Sequence, residues 1–247
     1  MTQNNSNSFN NFVVLSAELS AVAVKDASNG KKYKTANATL LGITYKGEDG
    51  LAYHPTITLL AFNGAKKHCK PGRVKIMGQL SYSEWENDQD EKIGQVKVIA
   101  NFIESEKEDA KPKAYTKLTL RIGKDAESRM SPNTGLPWVS VRASLSMGRD
   151  EDGAYRPSLW LNLKAFTRQD ESNIDCVYQA GDLLKGDYVD AAGGLTCDEY
   201  KGRLNWGIIL NANGMNIHEF DDTGEVVAED EEEFMEEDAA ELEAIPD

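Results

Sequence analysis

Cysteine and histidine are scarce, with three of each in 247 residues. Cys69, Cys176 and Cys197 are odd in number and form no Cys-x-x-Cys pair, which argues against a disulfide framework and against a paired-thiolate zinc site. His68 adjoins Cys69, but no further paired ligands stand nearby, so no metal is expected. The chain also lacks a run of about 18 apolar residues, so no membrane span is expected. It contains no Gly-x-x-x-x-Gly-Lys-Ser/Thr loop, no serine elbow and no His-Glu-x-x-His, and hence no expected cofactor and no expected enzymatic activity. Residues 1–11 are rich in Asn and Ser without the apolar stretch of a signal peptide or a transit sequence. They read as a short floppy arm, and the protein is expected in the cytoplasm.

Acid is abundant, but only at one end. The net charge is −14, and 15 of the 41 Asp and Glu lie between Glu219 and Asp247, where there is no Lys or Arg. That leaves 26 acids against 27 Lys and Arg in the rest of the chain, so the body is nearly neutral. A run such as Glu229-Asp230-Glu231-Glu232-Glu233 buries too little apolar area to fold, and residues 218–247 are expected to form a disordered acidic tail. Such a tail acts either as a solubiliser or as an interaction tail that also competes for a basic face.

Landmarks repeat along the chain. Asn29-Gly30 precedes an alternating segment from Tyr33, and Thr134-Gly135 precedes another from Trp138, offset by 105. Tyr53-His54-Pro55 corresponds to Tyr155-Arg156-Pro157 at an offset of 102, and Ala61-Phe62 to Ala165-Phe166 at 104. Lys70-Pro71-Gly72-Arg73-Val74 corresponds to Leu184-Lys185-Gly186-Asp187-Tyr188 at 114, so the second copy carries about ten extra residues. Ordered landmarks at a nearly constant offset mean a duplicated domain. The boundaries predicted are 12–103 for the first domain, 104–112 for a charged linker and 113–217 for the second.

The period within each copy is two. Val139, Val141, Ala143, Leu145 and Met147 alternate with Ser140, Arg142, Ser144 and Ser146, and Leu159, Leu161, Leu163 and Ala165 with Trp160, Asn162, Lys164 and Phe166. Short strands separated by Gly-rich turns predict small antiparallel barrels, with a short helix at Ala65–Cys69 as the connection.

An ordinary solvated strand face would carry Thr, Lys and Glu. Here Trp160 and Phe166 share a face with Lys164, and Trp138 shares one with Arg142. Rings beside cations suit an unpaired strand of nucleic acid: bases stack on the rings at roughly 1–3 kcal/mol each and phosphates meet the cations. The set expected to make these contacts is Tyr33, Phe62, Arg73, Lys75, Trp85, Lys97, Trp138, Arg142, Arg156, Trp160, Lys164, Phe166 and Tyr200. The competing reading closes the barrel mouth with the same aromatics, and Trp206 fits either.

The second copy reads Lys117-Leu118-Thr119-Leu120-Arg121-Ile122-Gly123-Lys124-Asp125-Ala126-Glu127-Ser128-Arg129, and Trp160 precedes Phe166 by six residues. The first copy reads Lys70-Pro71-Gly72-Arg73-Val74-Lys75-Ile76-Met77-Gly78-Gln79-Leu80 and then Trp85. These stretches resemble the bacterial single-stranded DNA-binding protein family. The resemblance implies an all-β chain of two tandem OB-fold barrels with a disordered acidic C-terminal tail. It further implies non-specific binding and protection of single-stranded DNA in replication, recombination or repair, and a homodimer carrying four barrels. The tail would dock replication or recombination proteins, although the family's terminal Pro-Phe pair is replaced by Ile245-Pro246-Asp247. Thr56 stands where the second copy has Trp160, which predicts weaker stacking in the first copy. The rival expectation is a barrel pair that kept the fold and recruits proteins without binding DNA strongly.

Overall fold

The alternation of apolar and polar residues forces strands whose apolar faces turn inward, and the computed structural model realises this twice. It describes residues 10–27, 30–90, 92–150 and 152–218. The N-terminal arm up to Phe9 and the acidic tail after His218 lie outside the described residues.

The first half runs β1 (Asn11–Asp26), β2 (Lys32–Leu40), a small hairpin β3 (Tyr45–Lys46) and β4 (Ala52–Tyr53), β5 (Thr56–Ala61), α1 (Ala65–His68), β6 (Gly72–Glu86) and β7 (Lys92–Ser105). The second half runs β8 (Ala114–Ile122), β9 (Glu127–Met130), β10 (Pro137–Leu145), β11 (Leu159–Phe166), α2 (Ile174–Gly181), β12 (Tyr188–Tyr200) and β13 (Arg203–His218). In the first half the strand order is β2-β5-β7-β6-β1, and pairing of β1 with β2 closes the ring. In the second the order is β8-β12-β13-β11-β10, and pairing of β8 with β10 closes it. Each ring has one parallel contact, β5 with β7 and β11 with β13. The architecture is thus all-β, two five-stranded closed barrels in tandem. No helix among the described residues is long and apolar enough to cross a membrane.

Each barrel is filled from the inward face of its strands. Leu15, Leu19, Leu59 and Ile76 are fully buried in the first, and Leu118, Leu120, Leu161 and Leu163 in the second. Each such side chain contributes about 1.5–3 kcal/mol of transfer free energy. The strands also approach closely at matching points. A β-carbon at Gly78 would collide with the Ile99 carbonyl oxygen, and one at Gly193 with that of Ile209. Glycine is therefore required where β6 meets β7 and where β12 meets β13, and the first site coincides with a bulge at Met77/Gly78.

The helices occupy the same connecting position in both halves. The short helix expected near Ala65 is α1. In the second half the extra residues build α2, whose Cys176, Val177 and Ala180 are buried.

The two barrels share one sheet, because β1 pairs antiparallel with β8 from Asn11↔Leu118 to Leu15↔Ala114. The joint has approximate twofold symmetry. The buried Ser16 hydroxyl accepts from the Lys113 N–H at 2.8 Å and donates to Glu106 at 2.7 Å. The buried Thr119 hydroxyl accepts from the Asn10 N–H at 2.7 Å and donates to Asp190 at 2.5 Å. Each buried hydroxyl is satisfied on both sides, so the joint carries no desolvation cost from unpaired groups. The charged segment between the halves is held as well: Arg73 pairs with Glu106 at 2.9 Å and donates to the carbonyls of Glu108 and Ala110.

Candidate nucleic-acid interface

The outward face of a barrel strand is set by the same period that fills the core, so every second residue of β10 and β11 turns away from the interior. Trp138 and Phe166 are register partners across these strands. Their rings stack with centroids 5.4 Å apart and planes 17° from parallel. On the other side of Trp138, β9 places Arg129 opposite it, with the guanidinium carbon 5.6 Å from the indole centroid. Arg129, Trp138 and Phe166 therefore form a continuous flat row across three strands.

The far end of β11 carries Trp160, 46% exposed. Arg142 lies over its ring at 5.8 Å and donates to Asn162 Oδ1 at 3.0 Å. Partial burial pulls the Arg142 guanidinium below its ordinary pKa. The indole rests on Gly123, where a β-carbon would run into its six-membered ring. Gly123 also donates its N–H to the Arg142 carbonyl at 2.8 Å. A partly desolvated cation over an exposed indole is a ready partner for a stacked base and its phosphate.

The first barrel repeats half of this arrangement. Tyr33 and Phe62 stack at 5.0 Å with planes 19° apart, Tyr33 on β2 and Phe62 directly after β5, the strands that correspond to β10 and β11. At the position matching Trp160, Thr56 and Thr39 share a hydroxyl–hydroxyl hydrogen bond of 3.0 Å. Gln95 donates to Thr58 at 3.0 Å, and Lys97 lies opposite Thr58 on β7. This outer face is polar where the second barrel's is aromatic.

The hairpin tips carry further aromatics. Trp85, 45% exposed, faces Ile93 near the β6–β7 turn. Tyr200, 63% exposed, stands at the β12–β13 turn with Lys201 Nζ 5.2 Å from its ring centroid. Arg156 is exposed in the loop between β10 and β11. In that loop Arg149 stacks on Tyr155 at 4.2 Å.

Several of the expected cations already have carboxylate partners. Lys75 pairs with Glu104 at 3.1 Å and Lys164 with Asp198 at 2.9 Å. Arg73 is committed to Glu106 and to the carbonyls of the connecting segment. Trp206 is buried and belongs to the core. Arg129, Arg149 and Tyr155 join the aromatic and cationic surface without having been singled out from the sequence, because their neighbours are set by strand pairing.

The chemistry of the remaining reactive groups is quiet. Cys69, Cys176 and Cys197 are buried and free, and burial pushes their thiols up, Cys197 to about 12. Among the described residues no group of three His, Cys, Asp or Glu side chains could hold a metal ion.

No protein-family model matches the chain, and a search of curated proteins returned no match. Solved structures do match. A deletion mutant of the single-stranded DNA binding protein from Thermus aquaticus superposes with a TM-score of 0.56 at 20% identity, over 86% of this chain and 96% of that one. The wild-type Thermus aquaticus protein gives 0.53 at 19% identity, over 85% and 93%. The tandem barrel fold is therefore one that these single-stranded DNA binding proteins also have.

Proposed function

We propose that this chain binds single-stranded DNA with little sequence preference, by stacking bases on exposed rings and placing phosphates against Lys and Arg. The observation that carries this reading is the pair of stacked rings at corresponding outer positions of the two barrels, Tyr33–Phe62 and Trp138–Phe166. Trp160 under Arg142 extends the second of them. Large rings held flat on an outer sheet face cost solvation unless a ligand covers them, and every base has a face to offer. The chemistry is binding rather than catalysis, and no cofactor takes part.

Around this core reading stand finer ones. The protein serves replication, recombination or repair in the cytoplasm, works as a homodimer carrying four barrels, and uses its acidic tail to dock partner proteins and to compete with DNA. Light scattering at micromolar concentration tests the dimer: a monomer mass removes it.

The binding reading is tested with Trp138→Ala and Trp160→Ala. Each removes a stacking platform worth about 1–3 kcal/mol, or about 5- to 150-fold in affinity. Loss of affinity for oligo-dT with an unchanged melting temperature supports it. Unchanged affinity in both variants supports instead a module that recruits proteins.

A further inference from the structure

Between the two barrels runs a groove of about 710 Å³. Its walls come from corresponding places in the duplicated fold. Thr56 of the first barrel and Trp160 of the second both face it, as do Asn37 and Arg142. The parallel registers Thr58↔Lys97 and Asn162↔Gly207 make Ile93 the counterpart of Arg203, and both of these line the groove too. The groove therefore joins the outer face of one barrel to the outer face of the other.

Its charge is one-sided. Lys92, Arg142 and Arg203 line it against a single carboxylate, Glu84, which accepts a hydrogen bond from Tyr82 at 2.7 Å. Its chemistry is one-sided as well. The second barrel's wall offers an indole and two guanidinium groups, and the first barrel's wall offers a hydroxyl, an amide and the alkyl side chain of Ile93 at the matching points. Three cations around one carboxylate, beside an exposed ring, complement a polyanion with flat apolar bases.

We propose that this groove is where a bound single strand crosses from one barrel to the other, with a base on Trp160 and the neighbouring phosphates on Arg142, Arg203 and Lys92. The inference rests on the single-stranded DNA reading above and names the path of the strand. Because the two walls differ, the stacked nucleotide of the crossing strand lies against the second barrel.

The test uses the full chain and two probes, oligo-dT of about 8 nucleotides, which one barrel accommodates, and of about 32, which spans both. Lys92→Glu with Arg203→Glu reverses two exposed charges in the groove, and Lys92→Gln with Arg203→Gln only removes them. The double charge reversal is expected to weaken the long probe at least tenfold more than the short probe, which meets only the part of the groove that Arg203 lines. The glutamine pair is expected to lower the salt slope for the long probe by about 1.4, the share of two phosphate contacts on a single strand. Equal losses for both probes, or no loss for the long one, would overturn the crossing. If the unaltered chain binds neither probe, the single-stranded DNA reading itself fails, a result distinct from a failure confined to the variants. Circular dichroism melts of all variants separate lost binding from lost folding.

Discussion

Trp138 and Phe166 stack in register across two neighbouring strands, 5.4 Å apart, and Tyr33 and Phe62 repeat that stack at 5.0 Å in the other barrel. The two copies keep the platform and differ in one of its rings, Tyr33 against Trp138. What they do not share is the next position along the same strand, where one copy has Trp160 and the other Thr56. The second barrel is accordingly the stronger binder in this account. Trp138→Ala combined with Trp160→Ala and Phe166→Ala is expected to lower oligo-dT affinity more than Tyr33→Ala with Phe62→Ala, by about tenfold, the stacking of the one extra ring, Trp160. Fluorescence anisotropy of a labelled oligonucleotide measures both.

Gly123 positions Trp160. Gly123→Ala adds a β-carbon against the indole, so the ring must tilt off its seat. The expected result is a loss of affinity comparable with that of Trp160→Ala. In a Trp160→Ala background the same glycine change is expected to do nothing further to binding, because the group it positions is gone. Additive losses in the double-mutant cycle would show that Gly123 acts elsewhere.

Tyr82 reports on the hairpin that forms one wall of the groove. Burial, and then its hydrogen bond to Glu84, push its phenol up to about 12. A phenol raised above its unfolded value keeps its proton longer when folded, so its contribution to stability is complete below pH of about 10 and is lost as pH rises towards 12. Tyr82→Phe is expected to flatten the fall in stability across that window. Urea melts at stepped pH measure it, and an equally steep fall in the variant would contradict the assignment.

Much of this surface was legible in the sequence. Alternation in β10 and β11 put Leu159, Leu161, Leu163 and Ala165 inside and Trp160 and Phe166 outside, and burial follows that pattern residue by residue. The offsets of 105 and 104 paired Tyr33 with Trp138 and Phe62 with Phe166, the four rings that stack. Trp85 and Tyr200 both stand at hairpin ends, as their order along the chain suggested. Partners brought by strand pairing were not legible. Lys75 meets Glu104, Lys164 meets Asp198 and Arg129 covers Trp138 because distant segments lie side by side, a relation no local period encodes. The helix α2 escaped because it is short and buries only one stripe, and the β1–β8 joint because its strands read as ordinary barrel strands.

The acidic tail offers a test that needs no structural detail. Removing Glu219 to Asp247 takes away 15 carboxylates, which in the proposed reading compete with DNA for the cations of the body. Oligo-dT affinity is expected to rise severalfold at low salt, with the difference vanishing as ionic strength increases. Equal affinity of the two chains at every salt concentration would leave the tail only a docking or solubilising role.

The most direct measurement is titration of the chain's intrinsic tryptophan fluorescence with oligo-dT and, separately, with duplex DNA at low ionic strength. Rings that take bases on their faces predict strong quenching by the single strand, little by the duplex, and a steep loss of affinity with added salt. Emission that stays unchanged through the single-strand titration would contradict the account.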